Sequence, residues 1–216
     1  LKGRLVKDLS EVEAAIEEVG VPVAMKIASP DIVHKFEAGG VRLKIKSVEQ
    51  GRETYEEIIA NARAFKQDAH IQGIIVERMA RGGVEVILGA SRDPKFGPMC
   101  MFGLGGTFVE AIKDVTFRIA PMWEISSELM IESIRAYKVL SGIRGNPPSD
   151  IAAIKDCILR LSQLVSDHPE IQELDINPLI VYPEGEGCVV ADSRILLESV
   201  ERAPVDQDRA TMIDDD

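Results

Sequence analysis

The sequence predicts an α+β (α/β) fold with two α+β lobes, and three observations support this prediction. Two capping boxes, at Ser10 and Ser47, each introduce a segment that favours a helix. Short apolar runs bounded by glycine-rich or Asp-Pro turns follow, as is typical of neighbouring strands in a mixed or antiparallel sheet. The length of 216 residues, with 45% hydrophobic and 28% charged residues, suffices for one large domain or two small lobes.

The first lobe should be a β-α-β-like unit with basic strand faces. Gly20 is expected to end the first helix, because glycine tolerates the backbone conformation that follows a helix. Residues 41–46 alternate apolar and basic side chains, which predicts a half-exposed strand. The predicted elements are a helix from Ser10, a strand over residues 21–28, a loop over 29–40, a strand over 41–46 and a helix from Ser47 to about Lys66.

The second lobe should be a sheet with helices on one face. Apolar residues recur at three- and four-residue steps between residues 151 and 165, which indicates a helix, and Ser149 is its expected N-cap. The predicted strands cover residues 71–78, 84–90, 98–102 and 115–120, with the first three adjacent in one sheet, and the predicted helices cover residues 127–138 and 149–166.

A hairpin near the end of the chain can be predicted together with its register. The four residues Pro183 to Glu186 form its loop, so Tyr182 should pair with Gly187. Counting back along this register places Asn177 opposite Asp192. A slip of one residue would turn one of the two side chains to the other face of the sheet.

Composition and charge exclude several classes of protein. The formal net charge of −11 argues against nucleic acid or an anionic membrane as the main partner. The three cysteines have no CxxC spacing and lie in apolar surroundings, which favours reduced thiols and the cytoplasm. We expect lobes over residues 1–74 and 75–200, a disordered acidic tail over residues 201–216, and further sequence before Leu1.

Two segments carry oxygen ligands that suit a magnesium ion. Asp175 and Asn177 are two residues apart on a predicted strand and therefore point to the same side, and Asp192 lies across the hairpin. Carboxylate and amide oxygens suit Mg²⁺, which keeps water and phosphate oxygens at its remaining positions. The alternative is that Asp175 and Asn177 shape a turn before Pro178, and the residues alone leave both interpretations open.

Glycines supply two candidate phosphate-binding segments. Residues 103–106 read Gly-Leu-Gly-Gly after an apolar run and allow backbone N–H groups to approach an anion, although this segment taken alone favours a tight strand-to-helix turn. Lys113 and Arg118 could add positive charge there. The second segment is Gly39-Gly40, close to Lys26, whose apolar neighbours demand an explanation for its charge.

The roles of four residues stay open on pattern alone. Lys26 could equally face solvent from its strand. His34 could accept a phosphoryl group, since a neutral imidazole is a competent nucleophile near pH 7, or it could be an ordinary loop histidine. Glu77 and Glu85 lie at the ends of apolar strands, where charged residues are common.

The motifs together resemble the ATP-grasp β subunit of ADP-forming acyl-CoA (acetyl-CoA) synthetases, which is distantly related to the β subunit of succinyl-CoA synthetase. The resemblance extends from about residue 10 to residue 197. Its motifs are Val23-Ala-Met-Lys26-Ile, Ser29-Pro-Asp-Ile-Val-His34-Lys35, Gly39-Gly-Val, Arg92-Asp-Pro-Lys-Phe-Gly-Pro98, Met101-Phe-Gly-Leu-Gly-Gly106, Phe108-Val-Glu110, Lys113-Asp-Val, Phe117-Arg-Ile-Ala-Pro121 and Glu173-Leu-Asp-Ile-Asn-Pro178.

The resemblance implies an ATP-grasp fold whose two lobes clamp a nucleotide, with ATP/ADP and Mg²⁺ as cofactors. It implies the reaction acyl-CoA + ADP + phosphate ⇌ carboxylic acid + ATP + CoA through an acyl phosphate and a phosphohistidine. The implied nucleotide-binding residues are Lys26, Lys35, Gly39, Gly40, Glu77, Met79, Glu85, Gly105, Gly106 and Arg194; the implied Mg²⁺ ligands are Asn177 and Asp192; and the implied catalytic residues are His34 and Asp175.

The resemblance also implies a partner. An α subunit or α domain would carry the CoA site and the main phosphohistidine, in a hetero-oligomer of α2β2 type or in a fused chain. The sequence departs from the family pattern at Phe36, where a serine usually follows His-Lys. The alternative function is a regulatory domain without ligase activity, of the kind fused to protein lysine acetyltransferases.

Overall fold

The computed structural model describes residues 1–106, 114–143 and 145–198. The chain divides into two compact units, Leu1–Gly82 and the chain from Gly83 onward. The division lies after Gly82 rather than after residue 74, because the strand that contains residue 74 is a central strand of the first unit's sheet. The motif residues Phe108–Glu110 and Lys113 and the expected tail over residues 201–216 lie outside the described residues.

The first unit is a four-stranded antiparallel sheet with two helices against one face. The order of its strands is β1-β4-β2-β3. Val23, Met25 and Ile27 of β2 are fully buried in the core of this unit. The elements are β1 (Gly3–Val6), a 3-10 turn (Leu9–Glu11), α1 (Val12–Val19), β2 (Val23–Ala28), β3 (Val41–Ile45), α2 (Val48–Phe65) and β4 (Gly73–Arg78).

The capping boxes predicted at Ser10 and Ser47 differ in outcome. The Ser47 box is confirmed, because the Ser47 hydroxyl accepts a hydrogen bond from the Gln50 N–H at 3.2 Å. The Ser10 box is wrong. Asp8 is the cap instead, since its carboxylate accepts the N–H of Ser10 at 2.9 Å and a 3-10 turn precedes α1.

The second unit contains the other strands, all in antiparallel pairs. Their order is β10-β8-β5-β6-β7, with β9 also paired to β8. The expectation that residues 71–78 lie beside the next two strands is wrong, since β4 belongs to the first sheet. The elements are β5 (Val84–Asp93), β6 (Gly97–Leu104), β7 (Val115–Ile119), α3 (Glu124–Glu132), α4 (Tyr137–Leu140), α5 (Ile151–Asp167), β8 (Ile171–Val181), β9 (Cys188–Val190) and β10 (Ser193–Leu197).

The helix predicted over residues 127–138 is two helices, and Asp114 explains the break. The Asp114 carboxylate accepts the backbone N–H groups of Arg135 and Ala136 at 2.9 and 2.8 Å. These bonds satisfy N–H groups at the start of a new helix, so α4 begins at Tyr137. Asp114 lies 21 residues before Arg135, which places this cap beyond any local pattern.

The helices cover one face of the second sheet, and the other face carries the predicted site residues. Val86 and Leu88 of β5 and Phe102 of β6 are fully buried in the core with α3 and α5. Because side chains alternate along a strand, the residues between them point to the opposite face. One row across this opposite face consists of Arg194, Asp175, Gly89, Met101 and Phe117, which are register partners on successive strands.

Asp150, rather than Ser149, caps α5 and also holds the late hairpin. Its carboxylate accepts the N–H of Ala153 at 3.0 Å and the N–H of Gly187 at 2.9 Å. Asp150 is buried, and these two hydrogen bonds hold the pKa of its carboxyl group below the usual value. The bond from Ala153 has the larger effect on this pKa. Asp150 therefore joins the start of α5 to the hairpin that carries Asp192.

Replacing Asp150 with alanine should lower the free energy of unfolding by about 2 kcal/mol, because a helix cap and a second buried N–H partner are lost together. Since the folded pKa is lowered, this stabilisation is present above the unfolded value of about 3.9 and is lost as the pH falls through the folded value. Urea unfolding of both proteins from neutral to acidic pH measures the difference. Asp156→Ala, on the exposed side of the same helix, is the matched control, and an equal loss in both variants would contradict the account.

Candidate functional site

The predicted pairing of Asn177 with Asp192 is confirmed. Tyr182 N–H donates to the Gly187 carbonyl at 3.0 Å, as the four-residue loop requires, and Asn177 N–H donates to the Asp192 carbonyl at 3.1 Å. Leu179 pairs with Val190, and β8 pairs with β9 and β10 in the same register. The two candidate magnesium ligands therefore lie directly across the hairpin from one another.

The alternative that Asp175 and Asn177 shape a turn before Pro178 is wrong, because β8 runs without interruption from Ile171 to Val181. Opposite them, the β5–β8 register shifts between Val86 and Leu88. Asn177 and Pro178 thus lie opposite the single residue Ile87, and this pairing of two residues with one is a β-bulge. Bulges redirect side chains and occur often beside active sites. A proline inside an otherwise regular strand was the signal for it.

Asp175 lies on the same strand, two residues before Asn177, and is half-buried. Burial raises the pKa of its carboxyl group above the usual value, and the neighbouring Arg194, its register partner on β10, partly opposes this rise. The Arg194 guanidinium donates to the Glu173 carboxylate at 3.1 Å. The hairpin therefore presents a group of acidic oxygens with one adjoining cation.

The small number of oxygen ligands on the hairpin suits Mg²⁺ better than a metal ion whose ligands all come from the protein. Within the described part of the chain, no three His, Cys, Asp or Glu residues are grouped so that they could hold a metal ion. Mg²⁺ commonly takes only one or two protein oxygens and completes its octahedron with water and phosphate. Asn177 and Asp192 match this pattern.

The structure brings together three of the residues predicted to contact nucleotide, Glu85, Gly105 and Gly106. Gly105 N–H donates to the Glu85 carbonyl at 2.7 Å. A Cβ at Gly105 would lie 2.8 Å from the Glu85 carbonyl carbon, and a Cβ at Gly106 would lie 3.3 Å from the Glu85 carboxylate. Gly106 also has a φ of +73°, which favours glycine. These glycines thus allow the end of β6 to pass directly beside Glu85; the residues that follow Gly106 lie outside the described part.

Replacing Gly105 with alanine should push the end of β6 away from Glu85, because the clash is with backbone atoms that cannot rotate aside. We expect nucleotide affinity to fall about 10-fold or more, since such a loss corresponds to ~1.4 kcal/mol of distortion at the site. Titration with ADP measures the affinity. Gly82→Ala is the control because a Cβ there meets nothing within 4 Å. Equal affinities in the two variants would show that the close approach has no role in binding.

In the first unit, Lys26 is buried and paired with Glu77. Its ammonium nitrogen lies 2.8 Å from the Glu77 carboxylate, and the two side chains are 11% and 22% exposed. Both residues lie on the face of the sheet away from the core residues Met25 and Ile27, because neighbours along β2 alternate. The alternative of a lysine facing solvent is therefore wrong. The pair explains how a cation is accommodated in an apolar strand.

The loop with Gly39 and Gly40 is compact and internally bonded. Gly39 N–H donates to the Phe36 carbonyl at 3.0 Å, and Gly40 N–H donates to the Lys35 carbonyl at 2.7 Å. Gly39 has a φ of +61°, and a Cβ at Gly40 would approach Ile27 to 2.5 Å. Both glycines are thus required by close packing, and their N–H groups already have acceptors. Their role toward phosphate stays a prediction.

His34, Lys35 and Met79 occupy different parts of the first unit. His34 is exposed on the loop, where its carbonyl accepts the Ala38 N–H at 3.1 Å. Lys35 is half-buried on the same loop. Met79 follows β4, and its N–H donates to the Pro22 carbonyl at 3.0 Å. That bond ties the segment after Glu77 to the start of β2 and leaves the N–H of Met79 engaged.

Sequence analysis missed the residues that hold the loop in place. Asn61 on α2 donates from its side-chain amide to the Gly39 carbonyl at 3.2 Å, and Arg42 donates to the same oxygen at 3.3 Å. Glu57, also on α2, forms an ion pair with Arg42. Asn61 lies 22 residues from Gly39, so no local motif connects them. The only signal for Asn61 in the sequence was its polar side chain on a helix that packs against the sheet.

Arg118 has a local role, unlike the prediction that it adds charge near the glycines. Its guanidinium donates to the Phe117 carbonyl at 2.8 Å and to the Ser133 hydroxyl at 3.1 Å. The candidate site residues of the described chain are divided between the two units. The first unit holds Lys26, His34, Lys35, Gly39, Gly40, Glu77 and Met79, and the second holds Glu85, Gly105, Gly106, Asp175, Asn177, Asp192 and Arg194.

Comparison with characterised proteins identifies relatives over nearly the whole chain. The β subunit of ADP-forming acetate–CoA ligase II from Pyrococcus furiosus is 50% identical over 196 residues, which cover 90% of this chain and 83% of that subunit. ADP-forming 4-hydroxybutyrate–CoA ligase from Nitrosopumilus maritimus is 45% identical over 194 residues, which cover 90% of this chain. This chain spans 28% of the length of that ligase.

A solved structure shows the same fold. Acetyl-coenzyme A synthetase 1 of Ca. Korarchaeum cryptofilum, in complex with coenzyme A and Mg-AMPPCP, matches with a TM-score of 0.76 and 44% identity. The match covers 91% of this chain and 84% of that chain. In that structure a phosphohistidine segment points towards the nucleotide-binding site. A family model described as an ATP-grasp domain matches residues 1–197, and the chain accordingly belongs to the ATP-grasp family and has the ATP-grasp fold.

Proposed function

We propose that this chain is the nucleotide-binding ATP-grasp part of an ADP-forming acid–CoA ligase. It transfers a phosphoryl group between ATP/ADP and a histidine of a partner α subunit or α domain, within the reaction acyl-CoA + ADP + phosphate ⇌ acid + ATP + CoA. The relatives named above are ligases of this kind, and they give the alternative of a regulatory domain no support. The observation that carries the proposal is the pairing of Asn177 with Asp192 beside Asp175.

Asn177 and Asp192 would hold Mg²⁺ in this proposal. A bound Mg²⁺ ion neutralises charge on the transferring phosphoryl group and on its leaving oxygen. The register places Asn177 opposite Asp192, and the backbone bond from Asn177 to Asp192 fixes the spacing of the two strands. The hairpin thus supplies a preorganised pair of oxygens, which avoids reorganisation at the moment of transfer.

Lys26 is the cation that meets phosphate oxygens from the first unit. A lysine ammonium acts on phosphate as a compact point charge with three donors. Glu77 holds this ammonium at 2.8 Å and so limits its mobility. Because the pair is mostly buried, its charges are screened less than those of a surface pair. Catalysis here consists of positioning and charge neutralisation.

Asp175 is the residue that receives the partner's histidine. A carboxylate can accept a hydrogen bond from one imidazole nitrogen and so orient the other nitrogen toward the phosphoryl group. Burial weakens the hydration of this carboxylate, as its raised pKa indicates, and an incoming imidazolium would compensate for that loss. Arg194 on the adjoining strand favours the charged form of Asp175 between visits.

His34 is proposed as a relay residue, and replacing it with asparagine should block phosphoryl relay while sparing nucleotide binding. His34 is exposed on its loop, and the loop is held through Gly39 and Gly40 rather than through the imidazole. Turnover of the assembled enzyme should fall at least about 100-fold, the lower range for loss of an acid–base or nucleophilic group. His70→Asn, another exposed histidine of this unit, is the control. Wild-type turnover in His34→Asn would reduce His34 to a loop residue.

The partner and the location complete the proposal. Relatives occur both as a separate β subunit and as a longer ligase of which this chain spans 28%, which supports an α part either separate or fused. An α2β2-type assembly fits the separate form. The three cysteines have no disulfide partner, which favours the cytoplasm. No helix in the described ranges is long and apolar enough to cross a membrane.

Phosphoryl transfer to the partner tests this function directly. The protein would be incubated with Mg²⁺ and ATP labelled at the γ-phosphate, together with the α part encoded beside or within the same gene. We expect acid-labile, base-stable label on the α part that disappears when ADP is added in excess. Absence of label on the α part when all components are present would contradict the proposed function.

A further inference from the structure

Two cysteines of the second unit lie next to one another in a place that the proposed reaction does not use. Cys157 is on α5 and Cys188 begins β9, and their sulfur atoms are 3.5 Å apart. The Cys188 sulfur also lies 4.0 Å from the Ala153 carbonyl, one turn before Cys157. Both residues are free thiols and both are partly exposed. Small oxidants can therefore reach a dithiol that is already in contact.

The surrounding structure fixes this contact. Asp150, at the start of α5, binds the Gly187 N–H at 2.9 Å, one residue before Cys188. Cys157 and Cys188 also pack against the edge of the buried apolar cluster of this unit. The helix and the hairpin are thus held together on both sides of the sulfur pair. A disulfide needs the sulfur atoms at about 2.05 Å, so they must approach by roughly 1.5 Å through side-chain rotation.

We propose that Cys157 and Cys188 are an oxidisable dithiol that closes to an intramolecular disulfide and locks α5 to the β8–β9 hairpin. The oxidant is a peroxide. Cys188 gives up its proton to solvent as its sulfur attacks one peroxide oxygen, the O–O bond breaks, and the departing hydroxide takes up a proton, so the products are Cys188 sulfenic acid and one water. The Cys157 sulfur then attacks the sulfenic sulfur, the S–O bond breaks, and the departing hydroxide takes the Cys157 proton and leaves as a second water. Two thiols and one hydrogen peroxide thus give one disulfide and two waters.

The order of the two steps follows from burial. Burial, with a smaller effect of the Cys188 contact, raises the pKa of Cys157 to about 12, so this thiol is protonated at neutral pH. Cys157 is therefore assigned to the second step, in which it resolves the sulfenic acid on Cys188. Cys100 offers an internal comparison. It is 1% exposed and burial raises its pKa to about 12, so it should not react.

The disulfide would close a loop between positions 31 residues apart. Such a cross-link restricts the unfolded chain and stabilises the folded one. It would also fix the strand that leads to Asp192, four residues after Cys188. The proposal does not depend on the proposed reaction, because it needs only the two thiols and the fold.

Peroxide treatment of the full protein, followed by peptide mapping without reduction, tests this inference. We expect a peptide that joins Cys157 to Cys188, a fall in titratable thiols from three to one, and a thermal midpoint raised by about 4 °C or more and restored by dithiothreitol. Cys100→Ser should give the same peptide and the same thermal shift, with titratable thiols falling from two to none, whereas Cys157→Ser and Cys188→Ser should give no such peptide. Peroxide oxidation of Cys188 to sulfinic acid without a cross-link, only intermolecular disulfides, or three intact thiols would each overturn it.

Discussion

Replacing Asp192 with alanine should lower Mg²⁺-dependent turnover of the assembled enzyme at least about 100-fold, the scale observed when one electrostatic group of an active site is removed. The backbone bond between Asn177 and Asp192 involves no side chain of Asp192, so the hairpin should keep its register in the variant. The expected loss therefore reports the carboxylate and not the fold. Steady-state rates at increasing Mg²⁺ concentrations measure it, and more Mg²⁺ should not restore the wild-type rate.

The control for this prediction is Glu184→Ala, in the turn of the same hairpin. Glu184 is exposed, and its backbone N–H, which the substitution keeps, donates to the Pro148 carbonyl at 2.9 Å. This variant removes one acidic charge from the same hairpin without touching the proposed ligands. A similar loss of turnover in both variants would point to general electrostatics. Unchanged turnover in Asp192→Ala would eliminate the magnesium assignment.

Replacing Lys26 with methionine should have the second large effect, on affinity for ATP and ADP and on stability. The variant removes the cation that we propose for the phosphates and leaves the Glu77 carboxylate, 22% exposed, without that cation. We expect affinity to fall about 100-fold, equivalent to ~2.7 kcal/mol. The free energy of unfolding should also fall, because breaking one side of a largely buried ion pair costs more than the pair contributes.

The matched variant Glu77→Gln separates these two effects. It breaks the same ion pair but keeps the Lys26 ammonium for the phosphates. Isothermal titration with ADP and urea unfolding should therefore show a stability loss in both variants and an affinity loss mainly in Lys26→Met. An equal loss of affinity in the two variants would mean that the pair acts only by holding the first sheet together.

The late hairpin was the part of the fold that sequence predicted best, for a physical reason. Its loop of four residues leaves one register with Tyr182 opposite Gly187, and this fixes every later pair, including Asn177 with Asp192. Ser47 and Gln50 similarly determine the start of α2 by bonds within four residues. Local patterns suffice where the partners are close in sequence.

The predictions were wrong where residues that are distant in sequence determine the structure. The apolar run over residues 71–78 is a strand, as predicted, but its pairing with β1 and β2 is set by the sheet as a whole. Asp114 interrupts a predicted helix from 21 residues away. A period-two pattern indicates that a segment is extended, but it does not indicate which strand lies beside that segment.

The candidate site shows the same limit. The motifs placed Glu85, Gly105 and Gly106 in one function, and the structure brings them into contact. They did not show that Lys26 binds Glu77, 51 residues away, or that Asn61 holds Gly39. The roles of His34 and Asp175 came from resemblance to a family, because an exposed histidine and a half-buried aspartate have many uses.

Calorimetric titration of the protein with ATP and ADP, with and without Mg²⁺, tests the central claim most directly. The claim is that this chain binds ATP and ADP with an affinity that depends on Mg²⁺ through Asn177 and Asp192. We predict binding of both nucleotides that strengthens when Mg²⁺ is present. Absence of binding with Mg²⁺, or binding of equal strength without it, would contradict the claim.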